Sequence, residues 1–180
     1  DAISCDLLPT DSPGPHHQGD VVAFLESKPD GHFDLILCHP TCTTLCVSGN
    51  STYGRGMPKH HERIEPAAWT EQFWELCKRK GKRVCLENPV SVLSSMTSIP
   101  KPHFVQPYQF GHPEQKKTGL HLHGLPPLAE SENVYEQMMQ LPKNQREKMH
   151  YLPPSAERWK LRSKTYQGIA NAMAKQWSAA

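Results

Sequence analysis

The stretch that decides the fold is Phe33–Asn50, which reads FDLILCHPTCTTLCVSGN. Its apolar residues from Phe33 to Cys38 predict a strand, and Pro40 ends that strand because proline cannot donate to a strand ladder. Cys42 follows at once. In an open α/β sheet, ligands bind outside the carboxyl ends of the strands, so this sulfur-bearing loop is a candidate active-site loop. The alternative is that Cys42 is a small buried thiol.

A second strand leads into a polar turn further along the chain. The amphipathic pattern over Ala67–Lys80 predicts a helix, and Gly81 suits its C-terminal cap. The strand predicted over Arg83–Leu86 then ends at Glu87, which is followed by another proline. A strand–helix–strand order implies parallel strands, so we expect Cys42 and Glu87 to lie at the same edge of the sheet.

Two acidic residues near the N-terminus flank short predicted elements. A strand over Ala2–Cys5 ends at Asp6, and Asp20 stands directly before a helix over Val21–Ser27. Acidic residues that follow strands hold ribose hydroxyls in nucleotide-binding folds, so both are candidate cofactor ligands. Turn formation by Asp6 and helix N-capping by Asp20 are equally open interpretations.

The composition fits one globular domain with a hydrophobic core. Of 180 residues, 37% are hydrophobic, and the net charge of +2 permits contact with nucleic acid without arguing for it. The six cysteines lie in apolar strand or helix patterns, which favours a reducing, cytoplasmic compartment. With no charged-then-apolar leader and no apolar run of ~18 residues, we expect a soluble protein that does not enter a membrane.

The segment Thr52–Ile64 is polar, glycine-containing and basic, and has little to bury. We expect a long mobile loop here, and such a loop directly after a reactive site is more often functional than a plain connector. Its basic side chains, including Arg55 and Arg63, would suit a phosphate backbone.

Two patterns resemble metal-binding motifs, but neither has the ligands or the spacing that a metal site requires. His121 and His123 alternate onto one face of a predicted strand, but no further ligands are spaced to join them. Cys38, Cys42 and Cys46 are separated by three and three residues, unlike the three and two of a radical-enzyme cluster motif. We therefore expect no metal site.

Taken in order, these motifs resemble those of the DNA (cytosine-5) methyltransferases, and most closely the short phage-encoded proteins of that kind. The family's catalytic loop is similar to Asp34–Cys42 and its continuation to Gly49. Its Glu-Asn-Val motif resembles Glu87-Asn88-Pro89, and its basic strand entry resembles Gln115-x-Lys117-x-Gly119. Its closing cofactor helix is similar to 167–171.

The resemblance implies a doubly wound, mostly parallel α/β sheet of the S-adenosylmethionine-dependent methyltransferase type. It implies a catalytic core over residues 1–125, a small target-recognition segment over 126–162, and a C-terminal helix over 163–180 that returns to the core. The family's first strand and glycine loop would precede Asp1. The protein would act on DNA in the cytoplasm of a bacterial or phage-infected cell.

The resemblance also assigns roles to residues. Cys42 would be the nucleophile that adds to carbon 6 of a cytosine flipped out of the DNA duplex, while Cys38 and Cys46 would only pack. The implied catalytic residues are Cys42, Glu87 and Lys117. The implied S-adenosylmethionine ligands are Asp6, Asp20, Pro40, Gly168 and Asn171. The implied DNA contacts are Asn88, Ser48, Arg55 and Arg63.

The chain also departs from the family pattern. Gly119 stands where the second basic-motif arginine is usual, Pro89 replaces the valine, and the recognition segment is short, which predicts low or short sequence specificity. Two rival functions follow. One is a related pyrimidine-modifying enzyme that acts on RNA or a nucleotide or transfers another group. The other is a catalytically silent DNA-binding or decoy protein of the same fold.

Overall fold

The computed structural model describes residues 2–178, and a parallel strand pair lies at the centre of the fold. Strand β3 (Ile36–Cys38) pairs with β4 (Val84–Pro89), and Ile36 lies opposite Val84. Helix α3 (Ile64–Lys80) connects the two strands. The predicted strand–helix–strand unit is therefore confirmed, and the loops after β3 and β4 leave the sheet at the same edge.

The rest of this sheet is antiparallel. Strand β5 (His103–Val105) and strand β6 (Thr118–His123) pair with each other in opposite directions, and β6 also runs antiparallel to β4. The chain reverses between them through a 3₁₀ turn at Pro107–Gln109 and a left-handed Gly111 (φ 82°). The four-stranded sheet, in the order β3-β4-β6-β5, is thus mixed, and the prediction of a mostly parallel sheet is not confirmed.

A separate sheet precedes the central one. Strand β1 (Ser4–Asp6) and strand β2 (His16–Gln18) form a two-stranded parallel sheet, of which only the first strand was predicted. Helix α1 (Val21–Glu26) follows and packs against α3. Among the described residues, β1 pairs only with β2 and β3 only with β4, so each keeps one open edge.

Apolar layers cover both faces of the central sheet, because successive residues of β4 point to opposite sides. One layer includes Leu25, Cys38, Leu45, Phe73, Trp74, Leu76, Cys77, Val84, Leu86, Leu93 and Ile99. The other includes Cys85, Val105, Phe110, Leu120, Leu128, Ile169, Ala172, Met173 and Trp177. The second layer depends on the C-terminal helix, which therefore returns to the sheet as predicted.

Further helices, most of them one or two turns long, interrupt the loops of the remaining chain. They are α2 (Asn50–Tyr53), α4 (Leu93–Met96), α5 (Tyr135–Met139), α6 (Lys143–Arg146), α7 (Lys148–Tyr151), α8 (Arg158–Ser163) and α9 (Gln167–Trp177). The predicted irregular loop over Thr52–Ile64 instead contains the end of α2 and a 3₁₀ turn at His60–Arg63. Within residues 2–178, no helix combines the length and apolar character that crossing a membrane requires.

Candidate functional site

The loop after β3 turns tightly and is held by a buried arginine. The N–H of Cys46 donates to the carbonyl of Cys42 at 3.0 Å, which brings these two residues onto one turn. The Arg63 guanidinium, 2% exposed, donates to the carbonyls of Thr44 and Cys46 at 2.6 and 3.2 Å and to Asn50 Oδ1 at 2.9 Å. The prediction that Arg63 contacts DNA is therefore corrected, since its donors hold the loop in shape.

The half-buried thiol of Cys42 is the most acidic cysteine of this loop. A hydrogen bond donated by the Cys46 thiol lowers the pKa of Cys42 to about 7, and the positive charge of Arg162 helps. Burial and the negative charge of Glu87 act in the opposite direction. A thiol with this pKa is substantially a thiolate at neutral pH, and the thiolate is the nucleophilic form.

Cys46 and Cys38 differ from each other, although the sequence predicted packing roles for both. Donation to Cys42 raises the pKa of Cys46, so Cys46 stays protonated and serves as the hydrogen-bond donor. Cys38 is 6% exposed, and its thiol donates to the carbonyl of Cys85 at 3.6 Å. Cys38 is thus a packing residue, while Cys46 sets the state of its neighbour.

Glu87 emerges from β4 on the same side of the sheet as α9. Its Oε2 accepts from Nδ1 of His39 at 3.1 Å, and 23% of its side chain is exposed. Glu87, His39, Lys116 and Tyr166 line a small cavity of about 20 Å³, which we call the Glu87 pocket. The loop that carries Cys42 and the end of β4 that carries Glu87 lie at the same edge of the sheet, as predicted, because β3 and β4 pair in parallel. The negative charge of Glu87 acts on the Cys42 thiol by raising its pKa.

The lysine that faces this pocket is Lys116, not the predicted Lys117. Burial lowers the pKa of Lys116 while the charge of Glu87 opposes the change, and its Nζ donates to the carbonyl of Arg162 at 2.7 Å. Lys117 is exposed and its Nζ lies 4.3 Å from the centre of the Phe104 ring. The two neighbours point apart because side chains alternate as the chain enters β6. The structure therefore does not bring Lys117 into the Glu87 pocket, and its catalytic role stays a prediction.

Asn88 does not join the Glu87 pocket either. It follows Glu87 in β4, so its side chain points to the opposite face, with Val84 and Leu86. It is fully buried, and its Nδ2 and Oδ1 have no hydrogen-bond partner among the described residues. This placement corrects the prediction that Asn88 contacts the substrate.

A cavity of about 660 Å³ lies between the open edges of β1 and β3. We call it the intersheet cleft. Asp6, Asp20 and Pro40, three of the predicted cofactor ligands, line it together with mostly apolar side chains such as Phe24 and Phe73. The volume falls within the range of about 300–1,000 Å³ that is typical of small-molecule sites.

Both acids of the cleft also have structural roles. Asp20 is the N-cap of α1, with Oδ1 accepting from the N–H of Ala23 at 2.8 Å. Oδ1 of Asp6 accepts from the N–H of Leu8 at 2.9 Å, which forms a turn. Each carboxylate has a second oxygen, so these structural bonds leave acceptor capacity for a ligand.

The two cofactor ligands predicted at the C-terminal helix do not line the cleft. Gly168 donates from its N–H to Nε2 of His112 at 3.0 Å, and a Cβ there would lie 1.9 Å from the carbonyl oxygen of Phe110. Gly168 is therefore explained by close packing. Asn171 is exposed and accepts from Gln167 within α9. Of the predicted cofactor ligands, the structure therefore groups together in the cleft only those of the first 40 residues.

The remaining predicted positions lie at the surface or in the core. Ser48 and Arg55 are exposed in the segment that follows Cys42. His121 is buried, and its Nδ1–H donates to the carbonyl of Pro100 at 2.6 Å, while burial lowers its pKa. Among the described residues, no three His, Cys, Asp or Glu side chains are grouped as a metal site would require.

Sequence reasoning missed three residues of the site. His39 and Lys116 line the Glu87 pocket, and the charge of Arg162 acts on both Cys42 and Lys116. His39 could have been found from its position, one residue after the strand and one before Pro40. The sequence offered no signal for Arg162, which reaches the site from a distant part of the chain.

Comparisons with known proteins provide no relative for this chain. No protein-family model, curated protein or solved structure matches it.

Proposed function

We propose that this protein transfers a methyl group from S-adenosylmethionine to carbon 5 of cytosine in DNA. The observation that carries the proposal is the placement of Cys42 and the Glu87 carboxylate at the same edge of the sheet, at the carboxyl ends of two paired parallel strands. The lowered pKa of Cys42 supports it. A thiolate that adds to a pyrimidine ring and a carboxylate that holds the ring are what this reaction requires.

The chemistry assigns one task to each side chain. Sγ of Cys42 bonds to carbon 6 of cytosine, which makes carbon 5 nucleophilic, and the same bond breaks after carbon 5 has gained its methyl group and lost its proton. Glu87 holds the ring nitrogen and the amino group, while His39 keeps the carboxylate oriented through the 3.1 Å hydrogen bond. Lys116 takes the role of binding the base oxygen or a nearby phosphate.

The intersheet cleft fits the proposed cofactor. S-adenosylmethionine supplies an electrophilic methyl group when it is bound. Apolar side chains of the cleft would cover its adenine ring, and the carboxylates of Asp6 and Asp20 at the mouth would accept from its hydroxyl and ammonium groups. His39 and Pro40 line the same cleft, so a bound cofactor would lie beside the loop that carries Cys42.

The strand order supports a doubly wound fold as the finer architecture. Across both sheets the order is β2-β1, the cleft, and then β3-β4. In the doubly wound order 3-2-1-4-5, β2 and β1 would take positions 3 and 2, and β3 and β4 would take positions 4 and 5. The cleft would then take the position of strand 1. Strand 1 of that order leads into the glycine-rich loop, and the crevice beside it is where such folds bind their ligands.

The direct test is incubation of the protein with labelled S-adenosylmethionine and cytosine-containing DNA, followed by digestion to nucleosides. We expect 5-methylcytosine, and DNA carrying 5-fluorocytosine should accumulate as a covalent adduct on Cys42. Cys42→Ser should abolish both products, whereas Cys38→Ser, which changes a packing thiol, should retain them.

Two outcomes would contradict the proposal. A folded protein that binds S-adenosylmethionine and DNA but forms no 5-methylcytosine is not this enzyme. Full activity of Cys42→Ser would show that another group is the nucleophile.

A further inference from the structure

Positive charge is concentrated in the segment 143–164, which we call the basic segment. It holds seven Lys or Arg residues and only two Glu, in a chain whose net charge is +2, so the remainder of the chain is net negative. The basic residues are Lys143, Arg146, Lys148, Arg158, Lys160, Arg162 and Lys164. Such a concentration marks a surface that attracts polyanions.

Large apolar side chains are exposed between these charges. Trp159 is 58% exposed, Tyr151 54% and Leu161 44%. Trp159 stands between Arg158 and Lys160 in α8. A basic surface that only contacts solvent does not require exposed aromatic rings. Single-stranded nucleic acid, in contrast, is bound by cations along its backbone and by exposed aromatic rings on which its unpaired bases stack.

The basic segment borders the Glu87 pocket. Nζ of Lys116, which lines that pocket, donates to the carbonyls of Arg162 and Lys164 at 2.7 and 3.3 Å. Thr165 and Tyr166, which directly follow the segment, line the pocket as well. A strand bound along the basic segment could therefore deliver one base to Glu87 while its neighbours remain outside.

We infer that the basic segment binds single-stranded DNA and that the Trp159 ring stacks on an unpaired base beside the target cytosine. The inference rests on the proposed function and narrows its substrate to cytosine in an unpaired or locally opened strand. In fully paired DNA the faces of the bases are covered by their neighbours, so Trp159 would have no base on which to stack.

The test measures binding without turnover. A fluorescein-labelled oligodeoxycytidine strand of about twelve nucleotides, within the span that such sites cover, is titrated with the protein by anisotropy, alone and annealed to its complement. We expect tighter binding to the single strand, and Trp159→Ala should weaken that binding by about tenfold, the typical loss of one stacking contact.

Tyr135→Ala is the matched control, because Tyr135 is also an exposed aromatic residue (41%) but lies in α5, outside the basic segment and both cavities. It should leave binding unchanged, and thermal melts should show that both variants fold. Tighter binding to the duplex, or equal losses for both variants, would overturn the inference.

The same experiment separates this inference from the proposed function. If Trp159-dependent binding to the single strand is found but no 5-methylcytosine forms, only the proposed function fails. If duplex DNA is methylated and Trp159→Ala changes nothing, only this inference fails.

Discussion

The intersheet cleft and the Glu87 pocket adjoin the same residue, His39, and differ in almost every other respect. The cleft has about 660 Å³ and mostly apolar walls, whereas the pocket has about 20 Å³ and contains a carboxylate and an ammonium group. The volume of the intersheet cleft suits binding of a cofactor, whereas the charged groups of the Glu87 pocket suit chemistry on a base. Under the proposed function, cofactor binding and reaction would therefore take place in separate regions that meet at the end of β3.

The largest effect should come from removing the charge of the pocket. Glu87→Gln keeps the shape of the side chain but loses the carboxylate that would hold the base in the proposed reaction, so we expect kcat for methyl transfer to fall by about 100-fold or more. The Kd for S-adenosylmethionine, measured by calorimetry, should not change if the cleft alone binds the cofactor.

Glu130→Gln is the control for this substitution, because Glu130 is an exposed carboxylate that accepts from Asn133 at the surface. It should leave both kcat and Kd unaltered. A weaker cofactor affinity in Glu87→Gln would show that the two regions are not separate.

A smaller effect should follow from changing the cleft. Asp20→Asn retains an N-cap of equal strength, whereas Asp20→Ala removes the cap and should lower the free energy of unfolding by about 1 kcal/mol. If Asp20 also binds the cofactor, both variants should raise the Kd for S-adenosylmethionine by about tenfold, as for loss of a hydrogen bond to a charged group.

Denaturant unfolding and calorimetry on the same two variants separate these roles. A wild-type Kd in Asp20→Asn would reduce Asp20 to a helix cap and leave Asp6 as the acid of the cleft. In either case kcat at saturating cofactor should stay near the wild-type value.

The smallest effect concerns the pH at which the Cys42 thiol loses its proton. Because the pKa of Cys42 is lowered to about 7, alkylation of Cys42 by iodoacetamide should be slow below that pH and should rise through it as the thiolate forms. Cys46→Ala removes the donated hydrogen bond and should move the midpoint to higher pH, as followed by peptide mass spectrometry.

Cys38→Ala should leave that midpoint in place, since Cys38 is buried in the core. A wild-type midpoint at the ordinary thiol pKa, unchanged in Cys46→Ala, would contradict the role assigned to Cys46.

The sequence predicted the parts of the site that depend on local pattern. Cys42 follows the proline that ends the first strand, and Glu87 lies near the end of the second strand of the same strand–helix–strand unit, which forms as expected. It could not predict that the sheet turns antiparallel after β4, because the direction of β6 is set by the reversal near Gly111. That reversal is a tertiary feature with only a weak local signal.

Errors of residue assignment have an equally physical origin. Lys116 and Lys117 are adjacent, and the pairing of Thr118 with Pro89 fixes which of them faces the pocket. Arg63 looked like a phosphate ligand because its sequence neighbours are polar and basic, but carbonyls from a loop almost twenty residues earlier along the chain satisfy its donors. Local composition predicts neither the direction of the Lys116 side chain nor the contacts of Arg63.

The open edges of β1 and β3 also affect how the protein behaves at high concentration. Unpaired strand edges are templates for the strands of other molecules, and the 45% exposed Leu37 lies on one of them. Each edge strand has only three residues, and Asp6 and Asp34 place charges at or beside them, which limits such self-association. A ligand bound in the cleft would cover both strand edges and so would also reduce aggregation.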